Sequence, residues 1–395
     1  MVNEKYKKML SGKSVIRELS EYATARGREI GYENVFDFSL GNPSVPCPAG
    51  YTEAVIKMYK EKDPMALHGY SPSPGNYGVR EAVAKSLRER FGLPYETKHI
   101  FMSSGAAGAI AHAIRLVTQP GDEVIGFARF FPEFHPYVND SGAELKVVPA
   151  RFSDFQINFD AFLEMLNPKV QAVLINTPNN PSGVVYTKET LTRLSQILRE
   201  KEKEYGHEIF LISDEPYREI IFDGKAYEYP SKYYENTISC YSFSKSLSLP
   251  GERIGYVAVN PAAKDADILA DMCTQISRGI GHNCPASTAQ LAVAKVLDEV
   301  SDISVYETNR NLLYDAFTRL GFETVKPDGT FYILVKALEE DAVIFCNKAK
   351  DYDLIFVPAD NFGAAGYFRV AYCIDTEKVK RAIPVLEKFV EEIYK

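Results

Sequence analysis

A lysine flanked by hydroxyl side chains marks the segment SFSKSLSLPGERIGY, residues 242–256. Lys245 follows a predicted strand, and Ser242 and Arg253 stand on either side of it. A lysine whose pKa is lowered in a cleft can form a Schiff base with a carbonyl group. A serine hydroxyl and a guanidinium can together hold a phosphate. Taken alone, the segment also fits a lysine in a polar surface loop.

A carboxylate and a phenol follow another predicted buried strand. Asp214 and Tyr217 lie in SDEPY, residues 213–217, directly after the apolar run of residues 209–212. A carboxylate at such a strand end is unfavourable unless it meets a cation. A protonated pyridine nitrogen would supply that cation, and the ring would then act as an electron sink, with Tyr217 in reach of its 3-oxygen. A helix-capping aspartate beside a packed tyrosine is the structural alternative.

Two turns add an amide and an anion site. In NTPNNPSG, residues 176–183, the Asn180 side chain could reach the same 3-oxygen. In SSGAAGAIAHA, residues 103–113, the backbone amides of Gly105, Ala106 and Ala107 open a predicted helix and could bind a phosphate. An ordinary strand-to-helix loop and close helix packing are the alternatives. The turn is neither G-x-G-x-x-G nor a P-loop, which disfavours dinucleotides and nucleoside triphosphates.

Strands and helices that must position these groups alternate along the middle of the chain. Several of the strand segments are apolar throughout, which predicts a largely parallel sheet covered by helices on both faces. Ligands of such sheets bind beyond the carboxyl ends of the strands, where the polar residues fall. After about residue 285 long helices and a mixed tail replace this pattern. We therefore expect an α/β fold, with a large domain at 46–285 and a smaller α+β domain from 1–45 and 286–395.

Composition and charge narrow the functional classes. The formal net charge of -8 and a pI near 5.5 disfavour general binding to nucleic acid or anionic membranes. The chain lacks an apolar run of membrane-spanning length and a secretory signal, and its six cysteines are scattered, so a cytoplasmic location is expected. The histidines have no paired spacing, so no metal site is expected.

Several short motifs occur in one order along the chain. They are Tyr70 in HGYSPSPGNYGVREAVA, the SGAAGA turn, FF at 130–131, NNPSG, SDEPY, SFSK, GERIGY and FRVAY. Over nearly the whole chain this series resembles the class I/II aminotransferases, the aspartate aminotransferase superfamily of fold type I. The resemblance implies a large domain with a mostly parallel seven-stranded sheet, pyridoxal 5'-phosphate as cofactor, and a homodimer with shared active sites.

The resemblance also implies a role for each matching residue. Lys245 looks like the Schiff-base lysine and proton carrier, and Asp214 like the partner of the pyridine nitrogen. Tyr217 and Asn180 would bind the 3-oxygen. The phosphate would be bound by Gly105, Ala106, Ala107, Ser242 and Arg253, together with Tyr70 of a neighbouring subunit. The substrate α-carboxylate would be bound by Arg369, beside Asn180 and the Gly41 backbone. Phe131 falls where an aromatic ring stacks on the cofactor, although other members carry tryptophan there.

Arg278 in SRGIGHNCP is expected to select the substrate by binding its side-chain carboxylate. Its spacing from Asn283 resembles that around the distal arginine of dicarboxylate-specific members, which comes from the partner subunit. We therefore expect aspartate as amino donor and 2-oxoglutarate as acceptor in a ping-pong reaction. A surface or interface role for Arg278, an alanine or aromatic donor, and a carbon–sulfur β-lyase or decarboxylase remain open. A non-catalytic regulator is disfavoured, because only about forty residues precede the Gly41 region.

Overall fold

A mixed sheet of seven strands forms the centre of the molecule in the computed structural model, which describes residues 2–10 and 14–395. In spatial order the strands are Ile100–Ser103, Gly255–Val259, Thr237–Ser242, Phe210–Asp214, Val170–Asn176, Glu123–Phe127 and Glu144–Val148. Gly255–Val259 alone runs opposite to the others. The predicted α/β fold with a mostly parallel seven-stranded sheet is confirmed.

Helices cover both faces of this sheet. The α-helices are Glu4–Met9, Val15–Ile30, Ala49–Glu61, Pro64–His68, Tyr77–Phe91, Gly105–Val117, Phe134–Ser141, Phe159–Met165, Lys188–Tyr205, Phe243–Ser246, Ala266–Ile280, Ser287–Val293, Ser304–Arg319, Ala342–Lys350 and Thr376–Tyr394. Short 3-10 helices occupy Tyr32–Asn34, Thr97–His99, Pro230–Lys232, Pro250–Glu252 and Asp360–Phe362. None of the helices in the described part of the chain is both long and apolar enough to cross a bilayer.

Alternation along the apolar strands explains the two covered faces. Val124 packs into the core beneath helices Gly105–Val117 and Ala266–Ile280, whereas its neighbour Ile125 packs into a separate core with helix Lys188–Tyr205. Successive side chains of a strand point to opposite faces, so a strand buried on both sides must be apolar at every position. This constraint explains why the continuous apolar runs predicted the sheet.

A second structural region lies beside the large sheet. Its antiparallel sheet has the order Val357–Pro358, Tyr367–Ala371 and Tyr332–Lys336, and one apolar core joins this sheet to helices Ser304–Arg319, Ala342–Lys350 and Thr376–Tyr394. Strand Phe36–Asp37 pairs with Leu354–Ile355 and brings the segment before residue 46 to this region. This arrangement agrees with the smaller α+β domain in the predicted fold class.

The exact division of the chain into domains stays a prediction. Within residues 286–320 the structure has two helices, Ser287–Val293 and Ser304–Arg319. Ala289 and Val293 of the first helix pack with Tyr51 and Met58 in a core that also includes residues of the large sheet. The apolar packing therefore places this helix with the large sheet and the second helix with the smaller region.

Gly255 lets its strand pass close to the turn that opens helix Gly105–Val117. A Cβ at residue 255 would lie 2.1 Å from the carbonyl oxygen of Tyr241 and 3.0 Å from the Cα of Gly105. Both neighbours are backbone atoms held by the sheet and the helix, so a side chain can be accommodated only if backbone moves. Glycine at this position thus fixes the spacing between the strand and the turn.

We expect Gly255→Ala to lower the free energy of unfolding by about 1–3 kcal/mol, because overpacking against backbone forces a local shift. Urea unfolding followed by circular dichroism measures the change. Gly279→Ala is the matched control, because a Cβ there meets open space within helix Ala266–Ile280 and should be neutral or stabilising. Equal stability of the two variants would contradict the close approach at Gly255.

Candidate active site

A cavity of about 430 Å³ opens at the carboxyl ends of the parallel strands, between the large sheet and the smaller region. Most of the residues predicted for the site line it: Gly41, Ala106, Ala107, Phe131, Asn180, Asp214, Tyr217, Ser242, Lys245, Arg253 and Arg369. A neighbouring cavity of about 840 Å³ is larger, but its lining contains none of Lys245, Asp214 or Arg369. The candidate chemistry therefore belongs to the smaller cavity.

Lys245 lies in the short helix Phe243–Ser246, which begins where strand Thr237–Ser242 ends. Its Nζ donates a hydrogen bond of 2.7 Å to the carbonyl oxygen of Gly41. Burial lowers the pKa of Lys245 to about 8, and the positive charges of Arg253 and Arg369 act in the same direction. More of the amine is therefore neutral near physiological pH than for an ordinary lysine, so it can act as a nucleophile or a base.

Asp214 is the last residue of strand Phe210–Asp214 and is almost fully buried. Its Oδ2 accepts a hydrogen bond of 3.1 Å from Asn176 Nδ2, whereas Oδ1 has no hydrogen-bond partner among the described residues. Burial and the nearby Glu215 raise the pKa of Asp214 well above its usual range. A cationic nitrogen next to Oδ1 would satisfy this oxygen and restore the ionised form.

An anion cradle forms at the start of helix Gly105–Val117. Ala106 and Ala107 of its first turn line the cavity together with Ser242 and Arg253. Gly105 lies behind them with a φ of +70°, and a Cβ there would come within 3.1 Å of Arg253 Nη2 and 3.6 Å of Ser242 Oγ. Helix amides, a hydroxyl and a guanidinium thus converge on one point, an arrangement that suits a phosphate.

The guanidinium of Arg369 lines the cavity from the smaller region. It extends from strand Tyr367–Ala371, is almost fully buried, and donates bonds of 3.2 Å to Asn180 Oδ1 and 2.5 Å to the Ser39 carbonyl oxygen. Its Nε has no hydrogen-bond partner among the described residues. Burial lowers the pKa of Arg369, but a guanidinium stays charged in proteins. This buried positive charge suits a carboxylate ligand.

Two phenols also line the cavity. Tyr217 donates a hydrogen bond of 3.3 Å to the hydroxyl of Tyr332, and both side chains are buried. Burial raises the pKa of Tyr332 to about 12 and that of Tyr217 well above its usual range, so both phenols remain protonated donors. Gly41 makes room for this pair, because a Cβ there would lie 1.7 Å from the Tyr332 hydroxyl.

The sequence analysis missed several residues that line the cavity. Tyr332 lies in the mixed tail after about residue 285 and Arg17 in the segment before residue 46, and neither was given a role in the site. The other missed lining residues are Ser14, Ile16, Leu40, Ile110, Glu133, Tyr137, Pro216, Ser244 and Pro250. Ile110, Pro216, Ser244 and Pro250 stand inside the motifs quoted from the sequence but were given no role there. The other residues come from segments outside those motifs.

Two predicted residues lie away from the cavity of their own chain. Tyr70 is fully exposed after helix Pro64–His68, and the exposed Arg278 donates a 3.0 Å hydrogen bond to Gln275 in helix Ala266–Ile280. Both were predicted to act on the site of a neighbouring subunit, so these roles stay predictions. Phe131 is half-buried in the cavity wall, and its stacking role also stays a prediction.

Comparison with known proteins agrees with this geometry. The family described as aminotransferase class I and II matches residues 33–386. An aromatic-amino-acid aminotransferase 2 from Thermococcus litoralis is 30% identical over 96% of each chain, and an aspartate aminotransferase from Thermotoga maritima is 27% identical over 90% of this chain and 92% of that one. These relatives span almost the full length described here.

Solved structures show the same fold. The crystal structure of an amino transferase from Eubacterium rectale has 44% sequence identity and a TM-score of 0.97, with all of both chains covered. That of an aspartate aminotransferase from Thermotoga maritima has 26% identity and a TM-score of 0.86, covering 99% of this chain and 100% of that one. The chain therefore belongs to the class I and II aminotransferases and is an aminotransferase enzyme.

Proposed function

We propose that the enzyme uses pyridoxal 5'-phosphate to move the amino group of L-aspartate to 2-oxoglutarate in a ping-pong reaction. One observation carries the proposal. The Lys245 amine and the unpartnered carboxylate oxygen of Asp214 belong to side chains that line one cavity together with an anion cradle and the buried Arg369. An aromatic cofactor with a carbonyl group, a ring nitrogen and a phosphate matches these groups.

Residues of the chain would hold the cofactor at three points. Asp214 would keep the ring nitrogen protonated, and Tyr217 and Asn180 would bind the 3-oxygen. The phosphate ligands would be the Ala106 and Ala107 amides, the Ser242 hydroxyl and the Arg253 guanidinium. When bound, the cofactor supplies an electron sink for the electron pair released at the substrate Cα.

Arg369 and Lys245 would act on the substrate itself. Arg369 would bind the α-carboxylate in a bidentate manner and so fix the orientation of the Cα–H bond. Lys245 would then take the proton from Cα as a general base and return a proton as a general acid. Because one Arg369 serves one α-carboxylate, donor and acceptor must use the cavity in turn, which supports a ping-pong order.

The names of relatives support the proposed donor. Aspartate aminotransferases of Thermotoga maritima and Pyrococcus abyssi are 27% and 30% identical to this chain. Arg278 of a partner subunit was the side chain expected to bind the second carboxylate. An aromatic donor is the second candidate, because the Thermococcus litoralis relative is an aromatic-amino-acid aminotransferase and Ile16, Leu40 and Phe131 give the cavity apolar walls.

We also infer a homodimer in the cytoplasm. The full exposure of Tyr70 leaves its phenol available to the phosphate site of a second copy, as the resemblance implies. All six cysteines are free thiols, which supports a reducing compartment.

An amino-donor panel with the wild-type enzyme tests the reaction. Aspartate with 2-oxoglutarate should give oxaloacetate and glutamate, and phenylalanine should be a poorer donor by kcat/KM. Coupled assays measure the two products. Formation of pyruvate, ammonia and hydrogen sulfide from cysteine, without glutamate, would instead identify the carbon–sulfur β-lyase.

We expect Lys245→Ala to lower kcat by at least about 10³, because the variant lacks the group that carries the proton. Cofactor absorbance after gel filtration should show that part of the cofactor is retained through the phosphate contacts. Lys264→Ala is the control, since this exposed lysine lies outside the cavity. Unchanged turnover of the Lys245 variant would exclude the assigned role.

The lowered pKa of Lys245 predicts how the rate at which cofactor-free protein binds pyridoxal phosphate depends on pH. Only the neutral amine attacks a carbonyl, so the rate should rise with pH through a midpoint near the lowered pKa of about 8, well below the value of about 10.4 for a free lysine. Stopped-flow absorbance measures the rate, with Lys245→Ala as the blank. A midpoint near that of free lysine would contradict a buried amine.

A further inference from the structure

The charged side chains that line the cavity outnumber those used by the proposed function. Among the described residues they are Arg17, Glu133, Asp214, Lys245, Arg253 and Arg369. The cofactor and the substrate α-carboxylate account for the last four. Arg17 and Glu133 are left without a role.

Arg17 belongs to the first turn of helix Val15–Ile30, and Ser14 and Ile16 beside it line the same cavity. Its side chain is exposed and forms no hydrogen bond or ion pair with another described residue. Arg253 and Arg369, by contrast, each donate to a backbone carbonyl oxygen. Arg17 therefore keeps its full hydrogen-bonding capacity for a ligand in the cavity.

We propose that Arg17 binds the side-chain carboxylate of dicarboxylate substrates, an inference that rests on the proposed function. With Arg369 holding the α-carboxylate, a second carboxylate entering the cavity needs a second cation. A guanidinium offers two parallel donors to it. Arg17 is the only cationic lining residue of the described chain that the proposed function does not assign.

The surrounding residues favour this placement. Glu133 lines the same cavity, so its negative charge disfavours any position of the substrate carboxylate close to it. Ile16 and Leu40 provide apolar contacts for the methylene groups of aspartate or glutamate. Arg278 lies outside the cavity of its own chain and would need a partner subunit, whereas Arg17 is already in place.

Non-reactive acids test binding apart from turnover. The holoenzyme is titrated with succinate, a dicarboxylate, and with propionate, a monocarboxylate, and the cofactor absorbance change gives each Kd. Arg17→Ala should raise the Kd for succinate by on the order of 10- to 100-fold, the range for a lost charged hydrogen bond. The Kd for propionate should rise by less than about twofold, because propionate has no second carboxylate. Arg17→Lys should recover part of the loss, because it restores the charge without the paired donors.

Steady-state kinetics gives the second readout. Arg17→Ala should raise KM for aspartate, glutamate and 2-oxoglutarate and leave KM for alanine and phenylalanine nearly unchanged. Arg28→Ala is the matched control, because Arg28 is exposed on the same helix but does not line the cavity. The control should behave as wild type with every acid.

Equal effects of Arg17→Ala on succinate and propionate would overturn the inference. So would a loss of dicarboxylate selectivity in Arg278→Ala that is absent from Arg17→Ala. Absence of amino transfer from every donor would instead contradict the proposed function, and the succinate titration would still report on Arg17.

Discussion

The carboxyl group of Asp214 is buried with one oxygen satisfied and the other unpartnered. Such a group is unfavourable in the protein interior unless a cation meets it, and the requirement dictates much of the surrounding structure. The pairing of two neighbouring strands holds this carboxyl group in place, because Asn176 at the end of the adjacent strand lies opposite Asp214 and donates a hydrogen bond to it. Glu215, the next residue, forms its own buried ion pair with Arg218 at 3.3 Å. Asp214 is thereby left for a ligand.

Burial shifts the ionisable groups of the cavity in a common direction. It lowers the pKa of Lys245 and raises those of Asp214, Tyr217 and Tyr332, so each group is pushed toward its neutral form. A site with this property makes its lysine reactive and its phenols reliable donors, but it needs charges from its ligands to ionise the aspartate. The pKa shifts of these four groups therefore share one physical cause, the burial of their side chains.

The two ends of the cavity rest on different apolar cores. Strands of the large sheet carry Asp214 and Ser242, whereas strand Tyr367–Ala371 of the smaller region carries Arg369. Packed cores hold side chains within narrow limits, so each end is rigid in itself. Lys245 connects the two by donating to Gly41, a residue of the segment that joins the smaller region. The distance from Asp214 and Ser242 to the Arg369 guanidinium thus depends on how the two regions pack together.

Sequence by itself determined the sheet, its parallel character and the groups at its strand ends. A strand that is apolar along its length, such as Val170–Asn176, must be covered by helices on both faces of the sheet. The polar residues that follow such parallel strands then lie at the same edge of the sheet. Asp214, Asn180 and Lys245 were predicted as site residues in this way, and the ordered motifs supplied the family. Their meeting in one cavity agrees with that logic.

Tertiary structure alone decided which distant side chains complete the cavity. Tyr332 lies 115 residues from Tyr217 and accepts a hydrogen bond from the Tyr217 hydroxyl. No local sequence pattern links the two residues. Arg17 belongs to none of the motifs in the sequence, and the fold brings the first turn of its helix to the cavity. Such contacts arise from packing between separate cores, which periodicity within one segment cannot encode. Spacing along the chain shows which residues are neighbours within one helix or strand. Only the folded structure determines which residues of different helices and strands contact each other.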